Sequence, residues 1–248
     1  MSYEVLVADD ASQDGTVDYL HTLAEPHSVF FNEERKNFAA NNNLLAREAR
    51  GEFLCFLNND VFVEGDWLQP MLAVLRECED SGMVGNVHKL ARNGRYDHMG
   101  VVFAPQGNPR HYGQGFFHRP FKGEVREWSA VTAACMVMRK SIFLAVGEFD
   151  AENFAVSFND VDLCLKLNAR GWQSLYEPRA QLVHHESVSR GFDRDPVGAK
   201  RQARELAVLR SRWGVREPSP DDDWRSWQAD PFHHPALSPF SEQFELRV

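Results

Sequence analysis

A short apolar run that ends at three polar side chains constrains this chain more than any other stretch. Residues 53–57 (FLCFL) are unbroken and strand-forming, which predicts a strand buried on both faces of a sheet. Asn58, Asn59 and Asp60 follow directly, at the expected carboxyl end of that strand. Ligands of open α/β sheets bind outside the carboxyl ends of the strands. A carboxylate there can hold a divalent cation and, through it, a phosphate, or it can simply close the strand in an Asx-turn.

Composition narrows the classes of function. The chain has 248 residues and a net charge of −9, which suits one large α/β domain or two small ones and argues against a nucleic-acid binder. An anionic ligand would therefore need a local source of positive charge, such as a metal ion. The four cysteines are scattered without metal-ligand spacing, which is typical of reduced thiols in a cytoplasmic protein. Since no apolar run reaches the length of a membrane span, we expect any membrane association to be peripheral.

The order of predicted elements indicates an α/β fold. In the first 90 residues, strands alternate with helices at short intervals, which favours a mainly parallel sheet with helices on both faces. The predicted strands are 3–8, 28–31, 53–57 and 83–87, and the predicted helices are 16–24, 37–49 and 67–79. From residue 92 to 127, glycines, prolines and aromatic residues predict hairpins and loops. Later elements are predicted as strands 131–138, 174–176 and 181–184 and helices 141–146, 160–170 and 198–212, before an irregular tail.

Seven separated motifs, in the correct order, resemble those of family 2 glycosyltransferases of the GT-A fold, in particular bacterial enzymes that build rhamnan and O-antigen-type polysaccharides. They are residues 9–16 (DDASQDGT), 37–42 (NFAANN), 57–60 (LNND), 147–150 (GEFD), 159–164 (NDVDLC), 178–191 (PRAQLVHHESVSRG) and 230–237 (DPFHHPAL). Together they span nearly the whole chain.

The resemblance implies a fold and an activity. The fold would be a Rossmann-like, mostly parallel sheet flanked by helices, with a small acceptor-side β layer and a C-terminal helix plus irregular tail. Residues 1–90 would bind the nucleotide sugar, 91–192 the acceptor, and 193–248 would form the C-terminal helix and tail. The activity would be inverting transfer of a sugar from a nucleotide-diphosphate donor to a saccharide or lipid-linked saccharide acceptor in bacterial cell-surface polysaccharide synthesis, with Mg²⁺ or Mn²⁺ as cofactor.

The chain departs from that family in two ways. Family members carry a strand and a helix before the strand that ends at Asp9 and Asp10, and this sequence starts without them. We therefore expect a gap between two strands or unpaired strand edges, as in a fragment, a chain with a misassigned start, or one completed by a partner such as a second copy or a parent chain. In addition, Asn58 and Asn159 stand where acidic residues are common.

Nucleotide contacts are assigned by the resemblance to Asp9, Asp10, Asn37 and Asn41, and Asn59 could hydrogen-bond the ribose. Each has an ordinary structural alternative. Asp10 could cap the first helix, and Asn37 and Asn41 could belong to a solvated helix start. Successive residues on a strand point to opposite faces, so Asp9 and Asp10 should be oriented differently.

The metal and the catalytic base are assigned to carboxylates and one histidine. Asp60 is the predicted metal ligand, and His184 could complete the site while His185 points away. Asp160, in the first turn of a helix, is the predicted general base for the acceptor hydroxyl, with Asp162 as a structural carboxylate. The alternatives are a turn at Asp60, a structural His184 and a helix cap at Asp160.

Two other classes of function stay open on the sequence. The first is a degenerate, non-catalytic glycosyltransferase module that binds carbohydrate or docks in a larger assembly, which the absent first strand favours. The second is a metal-dependent nucleotidyltransferase, which also combines an α/β sheet with carboxylates but would usually carry a glycine-rich, basic phosphate loop at its first strand.

Overall fold

The structure, a computed structural model, describes residues 2–103, 108–116, 123–185 and 196–213. Within these ranges the strands are β1 Val5–Asp9, β2 His27–Phe31, β3 Phe53–Leu57, β4 Val61–Val63, β5 Ser81–Leu90, β6 Tyr96–His98, β7 Val101–Phe103, β8 Pro109–His111, β9 Arg126–Trp128, β10 Cys135–Arg139 and β11 Gln173–His184. The helices are α1 Thr16–Leu20, α2 Phe38–Glu48, α3 Leu68–Glu77, α4 Lys140–Ala145, α5 Asn159–Asn168 and α6 Pro196–Trp213.

A seven-stranded sheet forms the centre of the molecule. Its main path runs β3-β10-β5-β11-β4, while β6 pairs with β5 and β9 pairs with β11. Strand β10 is antiparallel to both β3 and β5, and β11 is parallel to β5, so β3, β5 and β11 share one direction. The predicted α/β class is confirmed. The sequence reading missed β4, which is only three residues long.

Helices cover this sheet on both faces, and the alternation of side chains along β10 shows how. Val137 packs with α3 on one face. Met136 and Met138 point to the other face, into the cluster that contains Phe143 of α4 and Leu163 of α5. This period of two is the geometry of a strand between two helical layers.

Strand β3 departs from this arrangement. It was predicted to be buried on both faces, but only Leu54 and Phe56 are buried, at 6% and 5% exposure. Cys55 is exposed, and Leu57 is 45% exposed. The prediction was wrong because β3 lies at the end of the seven-stranded sheet, where the cluster around α3 includes only Phe53 of this strand.

The first two strands form a sheet of their own. Strand β1 pairs in parallel with β2 and, within the described residues, with no other strand, so β1 and β3 each have an unpaired edge. Glu4 accepts hydrogen bonds from the backbone N–H groups of Arg50 and Gly51 at 2.6 and 3.2 Å, which holds the start of β1 near the chain entering β3. An open cavity of about 460 Å³ lies beside this contact. The break in the sheet expected from the family comparison is thus present.

Three predicted strands, 131–138, 174–176 and 181–184, differ in extent from those observed. The segments 174–176 and 181–184 belong to one strand, β11, whose register shifts between Glu177 and Gln181. The predicted strand 131–138 begins only at Cys135. The preceding peptide groups bond to side chains from other elements instead of to a ladder: Thr132 N–H donates to His98 Nε2 and Ala133 N–H to Asp160 Oδ2.

Helix α6 is anchored by charged contacts to the loop before α5 and to α5 itself. The Arg212 guanidinium lies 2.7 Å from Asp150 and 2.9 Å from Asp162, and the Trp213 indole donates to Asp162 at 3.0 Å. Glu205, which is buried, accepts from the backbone N–H of Ser157 at 2.7 Å. These contacts explain how a helix of largely polar composition packs on the domain. Three parts of the chain lie outside the described residues: the predicted irregular tail, the end of the 178–191 motif from residue 186 onward, and the motif 230–237.

No helix in the described part of the chain combines the length and the apolar character that crossing a membrane requires.

The one-sided burial of β3 predicts unequal costs for two neighbouring truncations. Phe56→Ala should lower the free energy of unfolding by about 3–5 kcal/mol, because the ring packs against Phe143 and Phe149. Leu57→Ala should cost less than about 1 kcal/mol. Urea denaturation of both variants measures the difference, and equal losses would contradict one-sided burial.

The Asp150–Arg212 ion pair predicts a pH dependence. Burial opposes ionisation of Asp150, but hydrogen bonds from Asn153 and the Arg212 guanidinium outweigh it and lower the pKa of Asp150 to about 2. A depressed carboxylate pKa stabilises the fold above the unfolded-state pKa, and this contribution disappears as the pH falls toward 2. Asp150→Asn should therefore lose up to about 2 kcal/mol at pH 5, since solvent screening reduces the effect, and much less at pH 2. Urea unfolding at both pH values tests this, with Glu152→Gln, an exposed carboxylate in the same loop, as the control.

Candidate functional site

The carboxyl end of β11 and the turn after β3 bring Asp60 and His184 together. The antiparallel pairing of β4 with β11 places Val61 opposite His184, and His185 N–H donates to the Asp60 carbonyl at 2.9 Å. As a result His184 Nε2 lies 3.4 Å from Asp60 Oδ1, with each side chain 13% exposed. Asp60 Oδ1 is buried and has no hydrogen-bond partner among the described residues. The exposed His185 packs on Phe62.

The turn that carries Asp60 is itself well defined. Asn58 donates its backbone N–H to the Ala134 carbonyl at 2.9 Å and accepts from Val61 N–H at 3.3 Å. Asn59 lies exposed at the tip of the turn. The turn is therefore compatible with a metal ligand at Asp60, because it points the Asp60 carboxylate at His184.

Behind His184 lies a buried group of histidines and one carboxylate. His184 Nδ1 is 3.1 Å from Asp97 Oδ2, and Gln114 donates to Asp97 Oδ1 at 3.2 Å. Burial alone would raise the pKa of Asp97, but the hydrogen bond to His184 and nearby imidazoles lower it to about 2. His88 is fully buried, and burial lowers its pKa to about 3, so it is neutral. Ligand atoms of His88, Asp97 and His184 all lie within 4.8 Å of one another.

Asp160 lies in the first turn of α5. This helix begins at Asn159, after Phe158 in the left-handed region with φ of 61°. Asp160 Oδ1 accepts from the Val161 N–H at 2.8 Å and Oδ2 from the Ala133 N–H at 3.1 Å, which orients the carboxylate. Each oxygen retains a second lone pair for a substrate hydroxyl.

Asp160 and the metal-site turn are held by adjacent peptide groups. Ala133 donates its N–H to Asp160, and the carbonyl of the next residue, Ala134, accepts the N–H of Asn58. The segment before β10 therefore links the turn carrying Asp60 to the first turn of α5. The sequence had assigned these residues to a strand, so this link could not be anticipated.

Asp162 is fully buried and is surrounded by cations and donors. Lys166 Nζ lies 2.9 Å from Oδ2, while Arg212 and the Trp213 indole bind Oδ1 at 2.9 and 3.0 Å. These contacts agree with the structural role predicted for this carboxylate.

On the nucleotide side, the structure brings Asp10 and Asn41 together through a third residue. Asn32 donates to Asp10 Oδ1 at 3.2 Å and to Asn41 Oδ1 at 2.7 Å, and Lys36 N–H donates to Asp10 at 2.8 Å. Burial opposes ionisation, but hydrogen bonds from these neighbours lower the pKa of Asp10. At the first helix, Asp14 accepts the Thr16 N–H at 2.9 Å. The N-cap of this helix is Gly15, so Asp10 does not cap it and is engaged elsewhere.

Two other predicted nucleotide residues are engaged within the fold. Asn37 caps α2 by accepting the Ala40 N–H at 2.8 Å and donates to the Ala151 carbonyl at 3.1 Å. Asp9 is buried and accepts the Ser12 N–H through Oδ2 at 3.1 Å. The structure therefore gives both side chains backbone partners, and it places Asp10 on the more accessible side of the β1 end.

Sequence reasoning missed several residues that build this site. Asn32 follows β2 directly, so the rule for carboxyl ends of strands could have identified it. Asn43, inside the asparagine run of α2, exchanges two hydrogen bonds with the Phe149 backbone at 2.8 and 3.0 Å and ties α2 to the 147–150 motif. No local pattern marks Asp97 or Arg212, because their partners are remote in sequence.

Comparison with known proteins identifies the family of the chain. The sequence model of the family described as "Glycosyl transferase family 2" matches residues 1–147, more than half of the chain. The chain is 36% identical over 219 residues, 85% of its length, to "Uncharacterized protein y4gI" of Sinorhizobium fredii. It is 34% identical over 200 residues, 77% of its length, to "O-antigen biosynthesis protein RfbC" of Myxococcus xanthus. It spans only 22% and 16% of the length of these two relatives.

Solved structures share the fold. The structure of GalNAc-T7 with UDP, GalNAc and Mn²⁺ superposes with a TM-score of 0.64 at 16% identity, over 83% of this chain and 41% of that one. The mannosyltransferase PcManGT of Pyrobaculum calidifontis, in complex with GDP-Man and Mn²⁺, gives 0.58 at 20% identity, over 88% of this chain and 56% of that one. The GT-A fold expected from the motifs is confirmed. Together with the match over residues 1–147, this shows that the chain belongs to glycosyl transferase family 2.

Proposed function

We propose that this chain transfers a sugar from a nucleotide-diphosphate donor to a hydroxyl of a saccharide or lipid-linked saccharide, with inversion, during bacterial cell-surface polysaccharide synthesis. The observation that carries the proposal is the 3.4 Å approach of Asp60 and His184 beside the peptide segment that holds Asp160. Family membership supports sugar transfer, and the similarity to the O-antigen biosynthesis protein supports the polysaccharide setting.

The donor diphosphate is negatively charged, and so is the chain, with a net charge of −9. Binding the diphosphate therefore requires a local positive charge, which a divalent cation would supply. Asp60 and His184 fit that need, since Asp60 Oδ1, which has no hydrogen-bond partner among the described residues, faces the imidazole Nε2, and both are ligand atoms that Mn²⁺ accepts. Mg²⁺ is the alternative ion. When bound, the ion would neutralise the charge that develops on the leaving diphosphate. Both solved relatives described above were crystallised with Mn²⁺.

The nucleoside lies, in this proposal, against residues 1–90. Asp10 is the contact residue, because Asn32 and Lys36 hold its carboxylate ionised at the carboxyl end of β1. Asn41 is placed beside it by the same Asn32 amide, and the exposed Asn59 extends the binding surface toward the ribose. Asp9 and Asn37 contribute by fixing the backbone on either side of this pocket, as their hydrogen bonds support.

Asp160 acts as the general base. The acceptor, bound by residues 91–192, presents its hydroxyl to the Asp160 carboxylate, which takes the proton as the oxygen attacks the anomeric carbon. The two backbone donors fix the orientation of the carboxylate. Attack by a hydroxyl on the face opposite the leaving diphosphate, with a single base, inverts the configuration at that carbon.

A second candidate function follows from the divided sheet. A module that binds carbohydrate without catalysing transfer is favoured by the separation of β1–β2 from the main sheet, because the nucleotide side then lacks continuous pairing with the metal side. Metal-dependent binding of a nucleoside diphosphate separates the two candidates, since only the transferase requires it.

Replacing Asp60 tests the metal assignment. Asp60→Asn should weaken binding of UDP or GDP in the presence of Mn²⁺ by at least about tenfold, because the charged ligand is lost while the side-chain volume is kept. Isothermal titration calorimetry with and without Mn²⁺ measures this. Asp66→Asn removes the same charge from an exposed position on the same segment and should behave like the parent chain. Equal Mn²⁺-dependent affinity in the parent and Asp60→Asn proteins would sink the assignment.

Replacing Asp160 tests the base. Asp160→Asn should reduce kcat by about 10²–10⁴-fold, because the amide cannot accept the proton, while nucleotide affinity stays within about twofold of the parent. A panel of nucleotide sugars and saccharide acceptors supplies the assay, and Glu152→Gln is the matched control. Retained transfer by a correctly folded Asp160→Asn protein would remove Asp160 from the mechanism.

A further inference from the structure

A buried carboxylate stands behind the proposed metal ligand His184 without belonging to the proposed metal site. Asp97 lies on β6, a short strand that the acceptor-side half adds to the edge of β5. Its Oδ2 is 3.1 Å from His184 Nδ1, on the opposite side of the ring from the 3.4 Å contact between Nε2 and Asp60. The three side chains therefore form a chain, carboxylate–imidazole–carboxylate, that runs from the interior toward the surface.

Hydrogen-bond chemistry determines what the inner carboxylate does. A carboxylate can only accept, so a bond to Asp97 requires the proton to be on His184 Nδ1. In the neutral ring this leaves the lone pair on Nε2, directed at Asp60, which is the tautomer that can bind a metal on that side. Gln114 holds the other oxygen of Asp97 at 3.2 Å and so keeps the carboxylate in register with the ring.

We infer that Asp97 is a positioning residue that holds His184 in the Nδ1–H tautomer and aims its Nε2 at the metal shared with Asp60. This inference rests on the proposed function of Asp60 and His184. Both residues that would orient the ring belong, like His184 itself, to the part of the chain after residue 90, since β6 supplies Asp97 and the loop after β8 supplies Gln114.

The geometry offers one competing arrangement, in which an ion lies further inside. His88 packs edge-on against His184 with ring centroids 5.5 Å apart, and neither of its ring nitrogens has a hydrogen-bond partner in the described part of the chain. An ion held by His88, Asp97 and His184 would occupy the interior and would not need Asp60. We favour the outer position, because there Asp60 supplies a carboxylate ligand whose side chain is 13% exposed, so that a diphosphate could reach the ion.

Mn²⁺ titration of the whole chain, followed by electron paramagnetic resonance, tests the inference. Asp97→Ala should weaken Mn²⁺ binding by about 10- to 100-fold. Asp97→Asn should weaken it less, because the amide oxygen still accepts from Nδ1–H. His88→Gln should bind Mn²⁺ like the parent. Loss of binding in His88→Gln equal to that in Asp97→Ala would overturn the inference in favour of the interior ion.

A second measurement keeps the inference testable if Asp97→Ala folds poorly. Nitrogen-15 NMR of the metal-free histidine rings, with the His184 signal assigned by His184→Gln, should show the Nδ1–H tautomer in the parent, a mixture of tautomers in Asp97→Ala and a smaller change in Asp97→Asn. An unchanged tautomer in both variants would overturn the inference. The proposed function is tested separately by Asp60→Asn: Mn²⁺-dependent UDP binding equal to that of the parent would contradict the proposed function, whereas parent-like Mn²⁺ binding in Asp97→Ala alone would contradict only the inference about Asp97.

Discussion

The pairing of β11 with both β5 and β4 is the constraint on which the site depends. Parallel pairing with β5 brings β11 into the centre of the sheet, and antiparallel pairing with β4 brings its last residue opposite Val61. Since β4 starts directly after Asp60, the ladder itself delivers His184 to Asp60. A slip of one residue would turn His184 to the other face of the sheet, where His185 now packs on Phe62. The register of one short ladder therefore selects which histidine faces the carboxylate.

A four-residue segment connects the other parts of the site. Residues 131–134 lie before β10 and are not part of a strand. Their peptide groups form hydrogen bonds with His98, Asp160 and the turn at Asn58. Buried peptide groups need hydrogen-bond partners. His98 and Asp160 accept hydrogen bonds from the N–H groups of this segment, and the same bonds fix the positions of the two side chains. The proposed base, Asp160, and the turn that carries Asp60 are thereby held relative to one another by backbone, which is stiffer than a chain of side chains.

The two-stranded sheet of β1 and β2 is held in place by contacts other than strand pairing. Strands β1 and β2 have no ladder to the main sheet in the described residues, so their position depends on contacts of α2 and on single hydrogen bonds such as Glu4 to Arg50. Asn43 and Asn37 bond from α2 to the segment at 149–151, which α6 in turn clamps through Arg212. The half that we propose binds the donor is therefore attached mainly through the acceptor-side loop.

Local pattern in the sequence determined the elements and most of the candidate residues. Strand β3 has the predicted bounds, α2 differs by one residue at each end, and the polar residues after β1, β3 and β11 lie where the rule for strand ends places them. These features depend on neighbours within a few residues. Periodicity could not show that β3 lies at the end of its sheet, because the sequence run looks the same whether one face or both are covered.

Tertiary structure alone decided which side chains meet. The hydrogen bonds of Asp160 with Ala133, of Asp162 with Arg212 and of His184 with Asp97 join residues that are 27, 50 and 87 positions apart in the chain. Such contacts arise from sheet register and helix docking, which no local spacing encodes. The opening run of residues 53–57 with its terminal Asp60 thus predicted a site at one strand end. That Asp60 faces an imidazole oriented from behind by a buried carboxylate follows only from how β4, β6 and β11 pair in space.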